Sequence, residues 1–178
     1  MAYAIGEFSI LELLKHHIND VQKIIVSDEK EKKKYFSFKK EVIIDKKFLL
    51  KEVKKEDIYA LAIFTPYSMK LDKKSTHILI NDLSDEGEIG TIIRTAIAFD
   101  YFDIALINTN ISLFSAKLIR ASVGAFFLAN IEQFNNIEEY KKKYQNKAIA
   151  FYNNKKEFLS LKVAQELYKI KAHQRDNR

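Results

Sequence analysis

Short apolar runs that alternate with helix-length amphipathic segments constrain the fold of this chain more than any other sequence feature. From residue 76 onward, the runs "THILIND", "IALIN", "AFFLANI" and "AIAFY" are separated by helical patterns at 86–99, 115–123 and 136–145. Strands that are apolar throughout, rather than alternating, are typical of a parallel sheet covered by helices on both faces. We therefore predict a Rossmann-like α/β domain, with its site at the carboxyl ends of the strands.

The first third of the chain carries a separate, shorter α/β pattern. Helical spacing over 8–18 and in "KKFLLKEVKK" alternates with the strand-like "VQKIIV", "EVIID" and "YALAIFTP". This pattern closes at Pro66, the only proline, and the polar segment "YSMKLDKKS" follows as the best candidate for a linker. We predict a small domain over 1–68 and a second domain over 74–178.

Composition excludes several classes of protein and makes two arginines informative. The chain has no cysteine, no histidine spacing typical of a metal site, and no apolar run long enough for a membrane span, and its N-terminus does not resemble a secretory signal. We expect a cytoplasmic protein without a bound metal. The net charge of +6 favours polyanionic partners, but 26 of the 30 basic residues are lysine. Arg94 and Arg120 stand out because they lie in apolar segments. An arginine in such a segment either binds a phosphate or carboxylate group of a ligand or forms a structural ion pair within the protein.

The stretch "SDEGEIGTIIRTA" carries the features of an anion site at a strand–helix turn. Asp85 is placed to cap a helix that begins at Glu86, and Glu88 completes a capping box. Gly90, Arg94 and Ala98 share one helix stripe, on which small residues leave the guanidinium room to reach a ligand. The spacing of Gly87 and Gly90 matches neither a dinucleotide fingerprint nor a Walker motif.

"DEGEIGTIIRTA", followed by "AFDYFDIALI", resembles the first signature motif of the SpoU/TrmH family of RNA ribose methyltransferases, a branch of the SPOUT class. "SLFSAKLIRASVGAFFLANI" is similar to the family segment that comes next, and residues from "YAIGEFSILELL" to "YALAIFTPY" resemble the small RNA-recognition domain of many members. The resemblance implies transfer of a methyl group from S-adenosylmethionine to a ribose 2′-hydroxyl of rRNA or tRNA, usually by a homodimer. It assigns catalytic positions to Arg94 and Glu88, and RNA contacts to Arg94, Arg120, Lys117 and Ser122.

The sequence departs from the family pattern in two places. Glu86 and Glu88 stand where the family motif has proline and asparagine, and residues 125–178 contain neither glycine nor proline, although the family builds its cofactor loops and trefoil knot from such residues. "SLKVAQELYKI" is either a remnant of the last family helix, with Lys162 in the asparagine position after an internal deletion, or a helix before a truncation. In both readings the knot is incomplete after about residue 153, and no residue is assigned to the cofactor.

Three functions are therefore open at the level of sequence. The first is an S-adenosylmethionine-dependent RNA 2′-O-methyltransferase. The second is an RNA-binding protein of the same descent that no longer binds the cofactor, and the third is a relic whose remaining residues only maintain a fold.

Overall fold

The computed structural model describes residues 1–53, 58–145 and 148–152, and these residues form two four-stranded sheets with helices packed against them. The strands are β1 Ala2–Ile5, β2 Val21–Val26, β3 Val42–Ile44, β4 Ala60–Phe64, β5 His77–Asn81, β6 Asp103–Ile107, β7 Asn130–Phe134 and β8 Ala148–Tyr152. The helices are α1 Glu7–His16, α2 Glu29–Lys33, α3 Lys46–Val53, α4 Glu86–Ala98, α5 Ala116–Ala121 and α6 Ile137–Lys143.

The first sheet is mixed. Its strand order is β1-β4-β2-β3, with β4 antiparallel to both neighbours and β2 parallel to β3. The three strands and two helices that the sequence predicts in this region are present. The sequence reading did not identify β1, because its four residues run directly into the turn before α1 and are too few to show a period.

The second sheet is parallel throughout, which confirms the prediction from its apolar strands. Its order is β7-β6-β5-β8, so the chain moves from β5 to β6 and β7 in one direction and then returns to the other side of β5. Strand β5 is therefore the point at which the direction of winding reverses. In open α/β sheets, ligands bind at the carboxyl ends of the strands at such a point.

One predicted strand begins later than expected. The segment "AFFLANI" starts with a 3-10 helix over Ala125–Leu128, and β7 begins only at Asn130. Gly124 precedes this turn with a φ of 85°, in the left-handed region that favours glycine. The turn directs Phe126 and Phe127 into the core, where both are buried, so the apolar run reflects a buried turn as well as a strand.

The two sheets share one hydrophobic core. A single cluster of buried side chains includes residues from both, and the ring of Phe64 on β4 contacts those of Phe127 and Phe114 with centroids 5.6 and 6.0 Å apart. The segment predicted as a linker also packs against this core, because Tyr67 and Met69 are partly buried against it and the ring of Tyr67 stacks on His17 at 4.0 Å. None of the helices in the described residues has the length and apolar character needed to cross a membrane.

Candidate functional site

The candidate site lies at the carboxyl end of β5, between the ends of β6 and β8. Strand β5 ends at Asn81, a short turn follows, and α4 begins at Glu86. The parallel register brings Asn81 opposite Ile107 on one side and Tyr152 on the other. The start of α4 therefore lies at the carboxyl edge of the sheet, where the sequence predicts the site, and the strand order places it at the reversal point.

Asp85 caps α4 and is held in place by a lysine from the next helix. Its Oδ1 accepts a hydrogen bond from the backbone N–H of Glu88 at 2.9 Å, which confirms the predicted N-cap. Its Oδ2 accepts from Nζ of Lys117 at 2.9 Å, and this contact is the main cause that lowers the pKa of Asp85 and raises the pKa of Lys117. Both side chains are exposed, so the pair fixes geometry and contributes little to stability.

Glu88 does not return the hydrogen bond that a full capping box requires. Its side chain is exposed and makes no hydrogen bond or ion pair within the described part of the chain. Glu88 therefore leaves an exposed, unpaired carboxylate in the first turn of α4. An uncompensated negative charge at this point opposes the binding of phosphate.

Gly90 serves helix packing, which corrects the expectation that it opens space beside Arg94. A Cβ built on Gly90 would lie 2.5 Å from Cβ of Ala121 and 3.0 Å from the carbonyl oxygen of Leu118. Glycine at this position thus allows α4 and α5 to approach closely. At Gly87, a Cβ would meet the side chain of Asp85, so neither glycine forms a cradle for a ligand.

Both predicted arginines are exposed and unpaired within residues 1–53, 58–145 and 148–152. Arg94 lies on α4 and Arg120 on α5, and neither guanidinium makes a hydrogen bond or an ion pair in this part of the chain. The alternative explanation, a structural ion pair, finds no partner there. An exposed five-donor guanidinium is suited to bind phosphate bidentately.

Ser122 is placed differently from the other residues for which RNA contact is expected. It is fully buried, its hydroxyl donates to the carbonyl of Ile119 at 2.8 Å, and its oxygen accepts from the backbone N–H of Phe126 at 3.2 Å. The side chain therefore closes α5 onto the turn that follows it. We therefore do not propose that Ser122 contacts RNA.

The sequence reading overlooked a row of asparagines at the same edge of the sheet. Asn81 ends β5, while Asn108 and Asn135 directly follow β6 and β7. Asp82 links two of them, since its carboxylate accepts hydrogen bonds from the side-chain amides of Asn81 and Asn108. The signal was visible in the sequence as asparagines 27 residues apart after successive apolar runs.

Comparison with family models identifies the second sheet and its helices. Residues 75–173, more than half of the chain, match the SpoU rRNA Methylase family. The match includes the α4 and α5 segments described above, and it continues past the described residues. No protein of curated function matches the chain in sequence.

Several solved structures share the fold at low sequence identity. The SpoU methyltransferase AviRb from Streptomyces viridochromogenes aligns with a TM-score of 0.67 and 17% identity, over 80% of this chain and 56% of its own. The S-adenosylmethionine-bound rRNA methyltransferase from Sinorhizobium meliloti also aligns at 0.67 and 17% identity, over 93% and 75% of the two chains. An RNA 2′-O ribose methyltransferase aligns at 0.65 and 17% identity, over 92% and 76%. The chain thus spans about half to three-quarters of these proteins.

Proposed function

The chain belongs to the SpoU rRNA methylase family, and from that premise we propose that it methylates a ribose 2′-hydroxyl of ribosomal or transfer RNA, with S-adenosylmethionine as the methyl donor. The observation that carries the proposal is the exposed, unpaired Arg94 on a helix that starts at the reversal point of the parallel sheet. Arg94 lies eight residues after Glu86, about 12 Å along the axis of α4. The arrangement therefore presents an exposed cation on the helix that begins at the edge of the sheet where α/β proteins bind their ligands.

The residues on α4 and α5 form the RNA side of the proposed reaction. Arg94 binds the phosphate next to the target ribose, and Arg120 adds a second cation from α5. Lys117 acts by holding Asp85, and so the start of α4, in place. A ribose hydroxyl is a poor nucleophile, so the enzyme gains most by fixing the sugar–phosphate in one orientation before the proton leaves.

The family resemblance assigns no described residue of this chain to the binding of S-adenosylmethionine. S-adenosylmethionine supplies an electrophilic methyl group when it is bound. The space beside Gly87 is occupied by Asp85 and the space beside Gly90 by Ala121, so these two glycines leave no cradle for the cofactor. The "SLKVAQELYKI" segment, which the sequence suggests as a remnant of the last family helix, lies outside the described residues.

A second candidate function is RNA binding without methyl transfer. Two observations favour it: residues 125–178 contain neither glycine nor proline for tight cofactor loops, and Glu88 replaces the asparagine of the family motif. In this case Arg94 and Arg120 keep the same role toward RNA. The two candidates therefore differ in the cofactor alone.

Calorimetric titration with S-adenosylmethionine separates the two candidates. The methyltransferase requires saturable binding and the incorporation of label from the methyl group into rRNA or tRNA at a 2′-hydroxyl. RNA binding with no detectable cofactor binding would favour the second candidate. A chain that binds neither molecule would contradict both.

Replacement of Arg94 tests the observation that carries the proposal. Arg94→Ala should weaken RNA binding by about 1–3 kcal/mol, the range for hydrogen bonds to charged groups. Lys141→Ala is a matched control, since Lys141 is an exposed cation on α6, which packs against a different cluster of the core. Equal affinities for the two variants would remove Arg94 from the RNA site.

We also propose, from the resemblance alone, that the protein works as a homodimer in the cytoplasm. Analytical ultracentrifugation with and without RNA tests the first part. A monomer at all concentrations would contradict it.

A further inference from the structure

A recess lies at the carboxyl ends of β6 and β7, on the same edge of the sheet as the candidate site. It has a volume of about 440 Å³. The side chains that line it and that bear on its chemistry come from the ends of both strands and from the loop after β6: Asn108, Thr109, Asn110, Ile111, Gln133 and Asn135.

The recess is built by hydrogen bonds that tie the loop after β6 to β7. The backbone N–H of Asn108 donates to the carbonyl of Phe134 at 3.0 Å, and Asn108 adopts a φ of 50°, which turns the chain away from the strand. Nε2 of Gln133 donates to the carbonyl of Ile111 at 3.1 Å. These contacts hold the loop on the sheet and keep the recess open between them.

The chemistry of the recess fits a neutral group that both donates and accepts hydrogen bonds. Among the described residues that line it, none is charged, and four carry side-chain amides. The hydroxyl of Thr109 is buried, whereas the four residues with side-chain amides are exposed, so the amides supply the hydrogen bonds that a ligand can reach. Phosphate prefers cationic donors, whereas asparagine and glutamine pair well with the edges of nucleobases.

The recess and the α4 turn belong to one edge of the sheet. The amide of Asn108, on the wall of the recess, donates to the carboxylate of Asp82, and Asp82 lies three residues before the N-cap Asp85. Arg94 lies eight residues beyond the start of α4, about 12 Å along the helix axis, so an RNA strand that runs from Arg94 toward this edge of the sheet leads to the amide-lined recess. Unpaired bases of single-stranded RNA are read through hydrogen bonds to their exposed edges.

We propose that this recess receives one unpaired nucleobase of the RNA strand whose phosphate is bound by Arg94, and that its amides select which base is accepted. The inference rests on the proposed function, because it requires that RNA binds at α4. It adds a role for residues that the family resemblance does not assign.

Binding of short single-stranded homopolymers of A, C, G and U, measured by fluorescence anisotropy, tests the proposal. The wild-type protein should prefer one base over the poorest by about tenfold, within the range of a single well-placed amide–base pair. The double variant Asn110→Ala/Asn135→Ala should reduce this preference to within about twofold. Lys141→Ala is again the control, because Lys141 is exposed on α6 and does not line the recess.

A second variant reports on the chemistry of the recess even if the double variant unfolds. Asn110→Asp replaces a donor with an acceptor at nearly constant size, so the order of preference among the four bases should change. Equal binding of all four bases by the wild type, or an unchanged order in Asn110→Asp, would overturn the base recess while leaving Arg94-dependent RNA binding intact. Absence of binding to every homopolymer and to structured RNA would overturn the proposed function and the recess together.

Discussion

Replacement of Gly90 by alanine probes the contact that sets the position of Arg94. The added Cβ would lie 2.5 Å from Cβ of Ala121 and 3.0 Å from its carbonyl carbon, distances at which α4 and α5 must move apart. Overpacking of this kind costs about 1–3 kcal/mol, while alanine gains about 0.5–1 kcal/mol over glycine inside a helix. We expect a net loss of about 1–2 kcal/mol in the free energy of unfolding.

Thermal denaturation followed by circular dichroism measures this loss. For a chain of this length, 1 kcal/mol shifts the melting temperature by about 2–4 °C, so Gly90→Ala should melt about 2–8 °C below the wild type. Gly87→Ala is the comparison on the same helix. Its Cβ would meet Oδ1 of the capping Asp85, at 2.8 Å, and of α5 only the end of the Lys117 side chain, so it should lose at most the N-cap, about 0.5–2 kcal/mol, and Ala121→Gly should recover none of that loss.

A double variant separates the predicted clash from a general effect of alanine. Gly90→Ala combined with Ala121→Gly removes the closest contact and should recover about 1 kcal/mol relative to the sum of the single changes. A Gly90→Ala protein that melts at or above the wild-type temperature would refute the close approach of α4 and α5. The position of Arg94 relative to α5 would then need another explanation.

Three further changes test separate features of the structure. Glu88→Gln should raise RNA affinity by about 0.2–1 kcal/mol, because it removes an exposed carboxylate from the start of α4, and an unchanged affinity in filter binding would place Glu88 away from the RNA. Tyr35→Phe should raise the melting temperature, because the Tyr35 hydroxyl is buried and has no partner within the described residues; a lower melting temperature would indicate a bond to a group outside them. His17 has a pKa lowered by burial, so the unfolded chain binds a proton more readily and stability falls as the pH drops below the ordinary value of about 6.5. Urea unfolding between pH 7 and pH 5 should show a smaller loss for His17→Gln than for the wild type, and equal losses would exclude His17 as a source.

The sequence predicted the parallel sheet well because its strands are apolar on both faces, and only a sheet covered on both sides accepts such strands. It predicted the N-cap at Asp85 because capping depends on neighbours within one turn. It assigned the wrong role to Gly90, since the partner that fills the glycine, Ala121, lies on another helix and is 31 residues away in sequence. Likewise, the buried hydroxyl of Ser122 depends on how α5 closes onto Phe126, and the amide recess depends on two loops that meet only in the folded sheet.

The common core of the two sheets restricts which substitutions and exchanges the two parts of this chain can accept. Phe64 on β4 packs against Phe114 and Phe127, which lie between β6 and β7, so the first 68 residues are fitted to one particular surface of the second part of the chain. Exchange of this part with that of a relative would separate rings that pack against each other, even where the backbone folds are alike. Substitutions at these three positions should therefore be tolerated better in combination than singly.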